Sequence, residues 1–208
     1  MAKIRLTKTE LKLQRDALKR FRRYLPTLQL KKQQLQLEAR KAREILIRLD
    51  LDITASRDSI GGWVSLLDEQ GAAQVRELIV VARWEVGSRN IAGVETPAFE
   101  AVEFRETPYD LFATPAWFDD VVAAQRELVE KMLRRELVSE QVELLEQELR
   151  VVTQRVNLFE EVKIPETEDN IRRIRIYLGD QQTNAVGRAK IAKSKCRARD
   201  KAMAETSG

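Results

Sequence analysis

Side-chain catalysis needs a base, a nucleophile or a cage of metal ligands, and this sequence is nearly bare of all three. It contains no histidine, which removes imidazole acid–base chemistry and the commonest nitrogen ligand for a transition metal. Its one cysteine, Cys196, can neither close an intramolecular disulfide nor build a zinc or iron–sulfur site, and it fits a reducing compartment. Cys196 stands among Lys195, Arg197 and Arg199, a setting in which a thiol can become reactive, although a lone cysteine of this kind is more often incidental. No GxxxxGK[ST] is present, and Gly61 and Gly62 in SIGGWVSLLDEQG form no GxGxxG after an alternating apolar run, so no nucleotide-phosphate loop is expected. The carboxylates fall mostly on exposed helical faces. The expectation is a chain without catalytic residues, cofactor or metal.

What remains is charge, and it is segregated. Residues 1–23 carry nine basic and two acidic side chains, a balance of +7, and residues 187–208 carry seven and two, a balance of +5. Residues 61–118 carry four basic against nine acidic, and residues 119–186 ten against fifteen, so each balances to −5. Two basic ends are suited to acidic protein surfaces or to nucleic acid, but the basic tail holds no aromatic residue on which bases could stack. A frayed, solvated helix end is the bland alternative for GRAKIAKSKCRARD.

The elements that position these charges follow from apolar spacing. Positions 11, 14, 18, 21, 25, 28, 32, 35, 39, 42, 46, 49 and 53 alternate steps of three and four, and all are apolar except Gln14 and Lys32. Such a 3.5-residue repeat predicts a helix with a supercoiled partner. Gln14 and Lys32 either fix register or simply reach solvent. A second seam runs through Val138, Val142, Leu145, Leu149, Val152, Val156 and Phe159, interrupted upstream by Arg135. Beyond Phe159 it slips by one residue and resumes at Ile164, Ile171, Ile174 and Leu178, with Pro165 at the slip. A kink or local unwinding is expected there. Pro26 differs, because the first seam passes it in register. It is expected to bend its helix without ending it, though it removes a backbone donor.

Residues 61–118 have another composition. They hold all three tryptophans, five of eight glycines and three of five prolines, which marks a break from the long helices. Val81–Val86 and Ile91–Phe104 flank the turn-like GSRN and predict a β-hairpin with a short helix or two nearby. The chain therefore reads as mainly α: residues 1–60 form an N-terminal coiled-coil helix, 61–118 a middle region with a β-hairpin, and 119–208 a C-terminal coiled-coil helix with a basic tail. Joined by so short a middle, the long helices must run antiparallel, which brings the two basic ends together. No run of 18 apolar residues spans a bilayer, and the opening MAKIRLTKTELKLQRD has no apolar stretch of the kind a signal peptide needs. A cytoplasmic location is expected.

Three stretches carry a family resemblance that covers essentially the whole chain. KIRLTKTELKLQRDALKRFRRYLPTLQLKKQQLQ, EVGSRNIAGVETPAFE and TQRVNLFEEVKIPETEDNIRRIRIYLGDQQTNAVGRAKIAKSK together resemble the D subunit of the V-type (A/V-type) ATP synthases and ATPases. The resemblance implies a non-catalytic central-stalk rotor subunit that couples ATP hydrolysis or synthesis to proton or sodium transport. Its terminal helices would insert into the ring of catalytic A and B subunits. Its middle would face the membrane and, with the small F subunit of the central stalk, meet the C (d) subunit on the membrane rotor ring, without itself entering the membrane. On that footing Lys3, Arg5, Lys8, Lys12, Arg188, Lys190, Lys193 and Lys195 are expected to contact the ring, and Pro26 and Pro165 to shape the shaft. Tyr177 and the Ile171–Ile174 stripe either contact the F subunit or pack within the chain. The alternative from another class is a free-standing basic coiled coil that binds nucleic acid.

Overall fold

The computed structural model describes residues 4–64, 69–106, 108, 109 and 114–206. Helix α1 spans Lys8–Val64, α2 Glu69–Leu78, α3 Phe118–Asn157 and α4 Ile164–Thr206; a π-helical turn, Leu158–Lys163, joins α3 to α4. Strands β1 (Val81–Ile91) and β2 (Val94–Phe104) form one antiparallel hairpin. By its contacts the chain divides into two compact units, one of Met1–Gln29 with Gln154–Gly208 and one of Leu30–Thr153. No helix among the described residues is long and apolar enough to cross a membrane.

Helix α1 starts where Thr7 caps it. The Glu10 N–H donates to Thr7 Oγ1 at 3.2 Å, satisfying one of the donors that a helix start leaves without a partner. All thirteen positions of the first seam are buried or half-buried, while the residues between them are largely exposed. In the unit of Leu30–Thr153, Leu35, Ala39, Ala42 and Ile53 of α1 are buried, as are Leu128, Leu137, Val138, Leu145 and Val152 of α3. Lys31 with Glu148 (2.8 Å), Arg43 with Glu146 (2.6 Å) and Asp50 with Arg135 (3.0 Å) flank this seam. Numbers rise on α1 as they fall on α3, so the helices run antiparallel, as the sequence predicts. Arg135, which breaks the apolar spacing, is half-buried and spends its charge on Asp50.

Helix α2 packs on the start of α3 through Val75, Leu78, Phe118, Val121 and Val122, with Trp117 against them. Arg126 of α3 donates from Nε and Nη2 to the Leu78 carbonyl at 3.2 and 2.9 Å, placing a cation at the negative end of the α2 dipole. The same guanidinium lies 5.4 Å from the centre of the Phe104 ring. Arg134 lies 4.8 Å from the Phe99 ring, and Gln141 Nε2 donates to the Pro97 carbonyl. Successive residues of β2 thus meet successive turns of α3, and the hairpin lies lengthwise along that helix.

The hairpin turn is not where the sequence predicts it. GSRN belongs to β1: Gly87, Ser88, Arg89 and Asn90 pair with Ala98, Pro97, Thr96 and Glu95. The chain reverses at Ala92–Gly93, both with positive φ (52° and 81°), the backbone that a two-residue type I′ turn requires. Asn90 Oδ1 accepts the Gly93 N–H at 3.0 Å and stabilises the reversal. A Cβ at Gly87 would meet Glu100 Oε1, the far end of an exposed side chain that can turn away.

Ala92 occupies the left-handed region at a cost of about 1 kcal/mol that glycine would not carry. Ala92→Gly is expected to stabilise the hairpin by about that amount and Ala92→Val to destabilise it by more, read by hydrogen exchange of the β1 and β2 amides. Equal protection in both variants would contradict the strain.

Candidate functional site

The described residues contain no cluster of His, Cys, Asp or Glu suited to a metal. Cys196 is exposed. Tyr109 has a raised pKa because its hydroxyl donates to Asp119 at 2.5 Å, with desolvation adding to the effect. Its ring meets Phe118 edge-on at 5.4 Å, so it anchors the start of α3.

The distinctive geometry lies in the unit of Met1–Gln29 and Gln154–Gly208. Pro26 sits inside α1, where it has no N–H to donate to the Arg22 carbonyl. Helix α1 nevertheless continues unbroken, as the sequence predicts. Nearby, the Thr27 hydroxyl donates to the Tyr24 carbonyl at 2.7 Å. Across from it, residues Leu158–Lys163 are π-helical, and the Ile164 N–H closes a five-residue step to the Phe159 carbonyl. Pro165 follows at once and supplies no N–H. The two defects share one level: Phe21 and Phe159 have ring centroids 5.2 Å apart, Gln29 Nε2 donates to Glu160 Oε1 at 2.5 Å, and Arg22 pairs with Glu168 at 2.5 Å. Both helices leave the regular hydrogen-bond ladder where they face each other.

The π turn also explains the slipped seam. A π step accommodates one residue more than an α turn, so every side chain beyond it is displaced by one position on the helix face. Val152 and Val156 are buried before it, and Ile171 and Ile174 after it. Ile171 and Ile174 therefore pack within the chain, whereas Tyr177 is exposed. Two further residues join the buried face that the apolar spacing did not reveal. Thr167 returns its hydroxyl to the Lys163 carbonyl at 2.5 Å, and Asn170 is 8% exposed. Both are polar, so an apolar pattern passes over them. Gln14, one of the two polar seam positions, donates to Glu10 of its own helix at 2.9 Å rather than reaching across.

The basic residues expected at a partner surface are all exposed where they are described. Arg5 precedes α1, Lys8 and Lys12 lie on α1, and Arg188, Lys190, Lys193 and Lys195 lie on α4; Lys3 lies outside the described residues. The register that pairs Arg22 with Glu168 sets Lys8, the first residue of α1, opposite residue 182. Helix α4 continues well past that level, and from 179 to 199 every residue but Gly187 is exposed, Val186 and Ile191 among them. The tail charges thus project beyond α1 instead of lying against it, which relieves the side-by-side repulsion that the antiparallel layout alone implies.

The family model of the ATP synthase D subunit matches residues 10–194. The V-type ATP synthase D subunit of Borreliella burgdorferi is 43% identical over 196 residues, covering 93% of this chain and 95% of that protein. The protein of the same name from Chlamydia pneumoniae is 36% identical over 193 residues, 92% of each chain. That from Chlamydia felis is 37% identical over 200 residues, 95% of this chain and 96% of the other.

Deletion of Val162, an exposed residue of the π turn, is expected to close that turn to α geometry and bring both parts of the seam into one phase. Thermal stability should hold or rise. Deletion of Gln147, exposed on α3, should instead rotate Leu149 and Val152 off the buried face, at about 1.5–3 kcal/mol for each side chain lost from it. Circular dichroism melts compare the two. A Val162 deletion as damaging as the Gln147 deletion would contradict the phase argument.

Proposed function

Because the chain belongs to the ATP synthase D-subunit family, whose members are central-stalk subunits of a rotary ATPase, we propose that it is the rotor shaft of a V-type complex. In this reading it is non-catalytic and carries torque between the ring of A and B subunits, where ATP is hydrolysed or made, and the membrane part that moves protons or sodium. The observation that carries the reading is the family match over residues 10–194, supported by the antiparallel helices that a torque-bearing element needs. The terminal helices enter the catalytic ring. The middle region, from residue 61 to 118, faces the membrane with the F subunit and meets the C (d) subunit. The complex holds the chain at the cytoplasmic face.

A shaft acts on its ring by presenting different faces as it turns, biasing each catalytic interface through differential contacts. Pro26 and Pro165 supply the asymmetry, because both helices depart from straight α geometry at one level. Arg5, Lys8, Lys12, Arg188, Lys190, Lys193 and Lys195, with Lys3, supply the charge that meets acidic or polar surfaces of the ring.

Two measurements test this. Pro26→Ala restores a backbone donor and should stabilise the chain by up to about 3 kcal/mol, while lowering the number of ions moved per ATP in the reconstituted complex; unchanged coupling would remove the mechanical role of the bend. Charge reversal of Arg188, Lys190, Lys193 and Lys195 together should weaken association with the A and B subunits about tenfold or more at low salt and far less at high salt. Assembly that is unaffected at low salt would exclude a ring contact at the tail.

A further inference from the structure

Besides the tail, the chain carries a second basic surface of different character. On the α1–α4 pair, Arg15 and Arg22 of α1 and Arg172 and Arg175 of α4 border one groove. Its floor is aliphatic: Leu18 is half-buried, Ile171 is 6% exposed and Ile176, at the rim, is 58% exposed. The one acidic residue in the lining is Glu168, which pairs with Arg22. Arg173, on the neighbouring face, is held by Asp169 at 2.8 Å. Three guanidinium charges in excess therefore surround an apolar floor.

We propose that this groove docks an acidic amphipathic helix of a partner subunit. Arg172 and Arg175, neither held by Glu168, stand three residues apart, about 4.5 Å along the α4 axis, with Arg15 on the opposing helix, an arrangement matched to acidic residues three or four apart on one face of a docking helix. Each guanidinium fork fits a carboxylate bidentately. An apolar residue of the same helix face would cover Leu18, Ile171 and Ile176, removing water from the ion pairs and strengthening them. The floor holds aliphatic side chains and no aromatic ring, so bases of a nucleic acid would find nothing to stack on. The rotor reading enters only in naming the partner as a subunit of the rotary complex; the chemistry of the groove stands apart from it.

The test uses the full chain and a labelled 20-residue helical peptide with glutamates three and four residues apart and leucines beside them on one face, followed by fluorescence anisotropy at low salt. Arg15→Glu with Arg175→Glu, which leaves the Arg22–Glu168 pair in place, should weaken peptide binding about tenfold or more. Arg15→Gln with Arg175→Gln should fall between, and Lys190→Glu with Lys193→Glu, remote on α4, should change it little. No peptide binding by the unaltered chain, or equal losses from the groove and tail variants, would overturn the proposal. So would a single-stranded RNA of equal length whose binding falls in the groove variant while that of the peptide does not. The same chains are then mixed with the purified A and B subunits. Failure of the unaltered chain to join them would count against the rotor reading and leave the peptide result to judge the groove.

Discussion

An apolar stripe repeating every 3.5 residues can be hidden from water only by a second stripe of the same period. Leu35, Leu145, Val152 and Ile174 are almost wholly covered, and each is covered because a helix running the other way brings its own stripe to it. Fully burying such a side chain contributes about 1.5–3 kcal/mol, whereas an exposed ion pair contributes under about 1 kcal/mol. The rest of the unit of Leu30–Thr153 depends on this pairing. Helix α2 and strand β2 are fastened to α3 by Arg126, Arg134 and Gln141, and α3 is a fixed platform only while α1 covers its apolar face.

The same constraint explains how the chain tolerates its irregularities. Pro26 lies off the seam and is exposed, so its missing hydrogen bond costs local helix stability without exposing apolar surface. The π turn buries none of its own residues; its effect is geometric, since it hands the seam to a new set of positions. Either defect in a regular partner would strain the pair on one side only. Set against each other, between Phe21 and Phe159 at one edge and Gln29 and Glu160 at the other, they leave the apolar contacts on both sides intact.

How much of this was legible in the sequence follows from the range of each interaction. Seams are written in spacing, so the helices, their antiparallel sense and the slip after Phe159 could be read directly. The slip revealed the disturbance near Pro165 but not its form, because a kink and a π turn shift the pattern alike. The hairpin was legible as two β-rich runs, yet its turn was misplaced: GSRN has turn-forming residues, but they pair with Ala98, Pro97, Thr96 and Glu95 in the ladder, while the true reversal uses an alanine in a left-handed backbone. Asn170 and the groove of Arg15, Arg22, Arg172 and Arg175 were not legible, since the first is a polar residue in an apolar pattern and the second joins residues far apart in sequence.

Charge settles what apolar packing leaves open. A leucine stripe alone would accept a partner shifted by one heptad at little loss, so register needs a further device. Along α1 the residues that cross to the other helix are basic first, with Arg22, Lys31 and Arg43 meeting Glu168, Glu148 and Glu146. The polarity then reverses, and Asp50 meets Arg135. A slip of one heptad toward the C-terminus of the partner would set Arg22 against Arg175 and Lys31 against Arg155. Like charges so placed destabilise by about as much as the correct pairs stabilise, so each of these two positions separates the alignments by about twice the worth of a single pair. The ion pairs therefore select an alignment whose stability comes from the apolar seam. Arg175 thus serves the alignment by the clash it would make with Arg22, whereas Arg15 and Arg172 take no part in it, and these groove arginines face outward with no ion pair among the described residues.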